Sequence, residues 1–187
     1  MENYECIVQV QPVIIYPNCY KLGKPQDCYN CDLYKKELCI SPRGMCAKKY
    51  HGHRKGCPNY GRVGCPPNVQ MFDEYFDLSK PVYAIFNTFD FKSHVEKMRE
   101  RHPNWTDRQC ENILYWQGTA KKGLREKMKK FNELYEEKGY EATTAPEAMG
   151  VNVFETLKKA GIQLEWPPVN LVYKVAMAGV KKNTVDK

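Results

Sequence analysis

The chain has 187 residues, 42% hydrophobic and 12% aromatic, which is enough for a core and excludes a disordered tail. Its formal charge is +7, unevenly carried, and no run approaches the roughly 20 apolar residues that a spanning helix needs. Nine cysteines, an odd count, fit a disulfide framework poorly.

The N-terminal Met-Glu-Asn-Tyr-Glu-Cys is acidic and has no hydrophobic signal core, so the expected location is the cytoplasm. Thiols stay reduced there, which turns a dense set of cysteines towards metal. With no long Ser/Gly linker, the expectation is one domain over 1–187. It comprises a cysteine-rich, metal-stapled N-terminal lobe at 17–67 and an α/β scaffold at 68–187.

Ile7–Tyr16 is β-branched and partly alternating, so it reads as a strand, and Pro12 within it demands an edge position or a bulge. Asn18–Asp27 is turn-rich, and Cys31–Leu38 permits a short helical piece. After Pro66-Pro67, Asn68 is predicted to cap a short helix with Met71, Phe72, Tyr75 and Phe76 on its apolar face. Pro81–Phe89 reads as a central strand. Ser93 and Glu96 form a capping-box pattern opening a helix that stops before Pro103.

Thr106 and Gln109 form a second such pattern, predicted to open the longest helix, to about Lys138, with Gly139 as its stop. Ile113, Trp116, Ala120, Leu124, Met128, Phe131 and Tyr135 make its core stripe. Lys121, Lys122, Arg125, Lys129 and Lys130 form a solvated opposite face. Tyr140–Thr144 is a short strand, Asn152 caps a helix that ends before Gly161, and Val169–Val180 is a closing strand. With no tandem βαβ pattern and no repeat, the class is α+β: a mixed α/β sandwich with a small sheet flanked by helices.

The chemistry is concentrated in Cys28, Cys31, Cys39, Cys46, Cys57 and Cys65, spaced C-x2-C-x7-C-x6-C-x10-C-x7-C. Cys57 and Cys65 are each followed by proline, with Gly61 and Gly64 between them. Glycine lets backbone wrap closely and aim N–H groups at sulfur, and proline after a ligand fixes the exit direction. Cys28 and Cys31 have the spacing that brings two sulfurs to one ion; a redox dithiol is the alternative for that pair. Cys39 and Cys46 complete either pair. Six thiols exceed one four-coordinate site and fall short of two, so His51 or His53 is either a further ligand or an exposed loop residue. Spacing suits both a [4Fe–4S] cluster and zinc. Cys6, Cys19 and Cys110 stand alone, and Cys110 reads as packing.

From Lys35 to Arg62, eight basic residues face one acid, Glu37. Four thiolates around such a centre carry about −2 in total, so these cations partly neutralise it. They also make an approach surface for an acidic protein partner or a small anionic substrate. No nucleic-acid-binding module is recognisable. Nor is there a P-loop, a dinucleotide-binding glycine pattern, a nucleophile elbow or a radical-SAM cysteine motif. Asp73, Glu74 and Asp77 read as a helix first-turn cluster.

Cys57-Pro-Asn-Tyr-Gly-Arg-Val-Gly-Cys65-Pro-Pro, the segment Pro146–Gly161 and the Val169–Gly179 strand together resemble the DUF2284 family of predicted metal-binding proteins. The resemblance runs from Cys57 to the C-terminus. It implies a cytosolic iron–sulfur protein of unassigned role, in which Cys57 and Cys65 are ligands. Family members place a further cysteine-rich segment just before the second motif. Here that stretch, Gly139–Ala145, has no cysteine. The resemblance therefore implies either ligands supplied from Cys28–Cys46 or a lost second site.

Overall fold

The computed structural model describes residues 6–17, 41–47 and 56–182. Its strands are β1 (Ile7–Val10), β2 (Val82–Asp90), β3 (Tyr140–Thr143) and β4 (Leu171–Val180). They form one sheet in the order β1–β2–β4–β3, with every neighbouring pair antiparallel. Among the described residues five α-helices complete the frame: α1 (Phe72–Tyr75), α2 (Phe91–Arg101), α3 (Asp107–Cys110), α4 (Gln117–Tyr135) and α5 (Val153–Lys159). The fold is α+β, as the sequence predicts. No helix among the described residues is long and apolar enough to cross a membrane.

The two central strands are apolar on both faces because both faces are covered. On one side Val82, Ala84 and Met177 join Phe72, Phe76, Val151 and Leu157 from α1, α5 and the turn before α5. On the other, Ile85, Ala176 and Ala178 lie against Leu124 and Phe131 of α4. A third cluster, with Phe91, Val95, Cys110 and Trp116, closes the end where β2 runs into α2.

Several element boundaries differ from the sequence reading, each for a local reason. β1 ends at Val10, two residues before Pro12; beyond it only Ile14 makes an isolated bridge, to Val151. Proline has no N–H for a ladder, and β1 is an edge strand as Pro12 requires. The short helix begins at Phe72 with Met71 as its cap. Asn68 instead donates its side-chain amide to Gly61 O at 2.6 Å. α2 opens two residues before Ser93, because Asp90 accepts from both Ser93 N (2.9 Å) and Ser93 Oγ (2.7 Å).

The Thr106–Gln109 capping box is real but opens only the four-residue α3. The Asn112 side chain then accepts from Leu114 N at 3.1 Å and breaks the helix into a 3-10 turn, the competition that asparagine offers a helical backbone. The long helix therefore starts at Gln117. Trp116, Ala120, Leu124 and Phe131 are buried as expected, but Ile113 is exposed and Cys110 sits in the core from α3. Asn152 caps α5 through Glu155 N, as predicted.

Candidate functional site

Of the six candidate ligands, Cys46, Cys57 and Cys65 fall among the described residues, each half-buried. Cys28, Cys31, Cys39, His51 and His53 lie outside them, as do Lys35, Lys36, Lys48, Lys49, Arg54 and Lys55 of the basic stretch. Cys57 N donates to Cys46 O at 2.9 Å, which ties the start of the double Cys-Pro loop to the 3-10 turn Pro42–Ala47. Tyr60 N then donates to Cys57 O (3.0 Å), Gly61 N to Pro66 O (2.7 Å) and Val69 N to Cys65 O (3.1 Å). Gly61 and Gly64 both have positive φ, the conformation a closely wrapped loop needs and other residues adopt at a cost. Among the described residues, no group of three or more His, Cys, Asp or Glu side chains is clustered to hold a metal.

Arg43 is the residue that sequence reasoning misplaced. It counts among the cations of the basic stretch, yet it is 4% exposed. Its guanidinium donates through Nη2 to Pro67 O at 2.7 Å and lies 3.6 Å from the sulfur of buried Met71. It therefore joins the turn carrying Cys46 to the exit of the loop carrying Cys65. Ser41, just before that turn, donates Oγ to Ile15 O at 2.7 Å. Of the expected basic surface, only Arg62 is described and exposed, and it donates to Asn59 Oδ1 at 3.2 Å.

Asp73 and Glu74 are more than a first-turn cluster. Glu74 closes the helix cap by accepting from Met71 N at 2.8 Å. Asp73 accepts from the Tyr16 hydroxyl through Oδ2, and its Oδ1 is buried with no hydrogen-bond partner among the described residues.

Beside the loop lies a cavity of about 700 Å³. Asn59 supplies one wall, and α4, the Pro146–Met149 turn, the start of α5, the 164–168 segment and β4 supply the others. Lys121, Arg125 and Lys174 bring cations, and Phe154, Trp166 and Tyr173 bring rings. Lys121 and Arg125 are exposed, as the sequence predicts, but they line this cavity and are not simply a solvated face. Burial pushes the Lys174 ammonium below its ordinary pKa, and the neighbouring Lys121 charge adds to that, while Glu147 opposes it. Burial pushes the Glu147 carboxyl up.

Glu165 is engaged elsewhere, accepting from Val169 N (3.0 Å), Asn170 N (2.7 Å), Leu171 N (3.3 Å) and Asn170 Nδ2 (3.0 Å). These hydrogen bonds lower its pKa to about 2 and organise the entry to β4. The sequence carried one signal for this cavity: Lys174 interrupts an otherwise apolar strand. No family model, no curated protein and no solved structure matches the chain.

Proposed function

We propose that the chain is a metal-binding protein that holds a [4Fe–4S] cluster for electron transfer or as a module of a larger redox enzyme. Cys57 and Cys65 would be ligands, with the rest drawn from Cys28, Cys31, Cys39 and Cys46. The observation that carries the reading is the backbone tie from Cys57 N to Cys46 O. It joins two of the six spaced cysteines at the foot of a loop bent by Gly61 and Gly64. The donor chemistry fits: half-buried thiols suit a soft metal, and glycine-rich backbone approaches sulfur closely. A bound cluster supplies one-electron chemistry, and the chain's part is to hold it and to set its surroundings through the loop and buried Arg43.

The test is anaerobic purification with iron, sulfide and zinc counted and the absorption spectrum taken. A brown protein with iron and sulfide in equal amounts is expected. A colourless protein with stoichiometric zinc would replace the cluster with a structural zinc site, and protein without any metal would end the proposal.

A further inference from the structure

The 700 Å³ cavity is of a size that takes a small organic molecule, and its walls differ in character. Lys121 and Arg125 stand one helical turn apart on α4, and Lys174 comes from β4. Trp166, which is 81% exposed, and Phe154, which is 43% exposed, line the cavity in a T-shaped, edge-to-face pair, with ring centroids 6.2 Å apart and planes at 89°. Exposed aromatic surface of that extent, beside gathered charge, is costly to leave facing water and suits a bound apolar body.

Three cations line the cavity, Lys121, Arg125 and Lys174, against two acids, Glu147 and Glu165. Glu165 spends its carboxylate on three backbone N–H groups and the Asn170 amide. Burial disfavours charge on Glu147 and on Lys174 alike; Lys121 repels the Lys174 ammonium and Glu147 attracts it. An incoming anion relieves that repulsion, whereas a cation would add to it.

We propose that this cavity binds a small organic anion with a flat apolar body. Its acid group is met by Lys121, Arg125 and Lys174, and its body lies against Phe154 and Trp166. The site is separate from the metal reading and requires no cluster. Asn59 nevertheless belongs both to its wall and to the Cys57–Cys65 loop, so the bound anion sits next to that loop.

The experiment is a fluorescence titration of the purified full chain with two probes of nearly the same body. One is the anionic 8-anilinonaphthalene-1-sulfonate, and the other is its uncharged analogue N-phenyl-1-naphthylamine. The anion should bind saturably at one site and the neutral analogue much more weakly. Reversing charge in the double variant K121E/R125E should weaken the anion by about tenfold or more. K122E/K130E changes net charge equally on exposed positions that do not line the cavity, and it should leave binding unchanged. Trp166→Ala should weaken both probes. All altered positions are exposed, and circular dichroism checks that each variant is folded. Absence of saturable binding overturns the proposal. So does equal loss in the two charge-reversal variants, or equal affinity for the two probes.

Discussion

Gly150 is where the Pro146–Met149 turn, Met71 and the chain after β1 meet, and replacing it with alanine has a cost that can be worked in two parts. Its φ is +86°, where a side chain adds about 1 kcal/mol of strain. A Cβ there would press on the terminal methyl of Met71 and lie 3.1 Å from its sulfur and 3.5 Å from Ile15 O. Met71 is fully buried and its sulfur faces Arg43, so its movement is resisted, and overpacking of this kind costs about 1–3 kcal/mol. Reduced freedom of the unfolded chain returns about 0.5 kcal/mol. The net expectation for Gly150→Ala is a loss of about 1.5–3.5 kcal/mol. Gly161→Ala is the control: φ is +82° there too, but nothing lies within 4 Å of the added carbon. It should lose only about 0.5 kcal/mol. Urea unfolding midpoints, with m-values checked for equality, measure both. Equal losses in the two variants would refute the steric part, and show Met71 giving way at no cost.

Three further outcomes are expected. Cys57→Ser and Cys65→Ser should each lose metal while Cys110→Ser, fully buried in the α3 core, retains it; metal counting decides, and full retention in both loop variants would remove those ligands from the site. Phe131→Ala should cost about 3–5 kcal/mol, because the ring is fully buried with Tyr135, Tyr83 and Tyr140 centroids at 4.5, 5.7 and 6.0 Å; a loss below about 1 kcal/mol in urea unfolding would contradict that packing. Glu165 has its pKa lowered from 4.5 to about 2, so its contribution is present above pH 4.5 and is lost as pH falls towards 2. Glu165→Gln should therefore flatten the fall in stability over that window, and an unchanged acid profile would argue against the carboxylate's role at the β4 entry.

The sheet and its helices were legible wherever hydrophobic periodicity and capping chemistry agree. The Asn152 cap, the β4 run and the Ala120–Leu124–Phe131 stripe are of this kind. The break at Asn112 was written in the sequence, but a periodic stripe ran straight through it and outweighed one side-chain competitor. Arg43 was not legible, since nothing in a run of basic residues distinguishes the one whose guanidinium finds a carbonyl acceptor and a sulfur inside. The cavity was not legible either. Its walls come from residues 59, 121–125, 144–147, 153–154 and 164–175, which only the tertiary fold brings together. Local rules describe elements, whereas a site built across five segments depends on their tertiary register.

That register has a consequence for synthesis. The partners of β2 on β4, from Asp90–Leu171 to Tyr83–Ala178, are more than 80 residues apart along the chain. At about 5–20 residues per second a ribosome takes roughly 4–16 s to cover that distance. Through that interval β2 has only the four-residue β1 beside it, a ribbon of marginal stability alone. Ile85 and Phe131 then lack the alanines of β4 that cover them in the finished sheet. All six cysteines of the 28–65 stretch are translated before this clock starts, so their thiols emerge while the sheet that follows them is still unpaired.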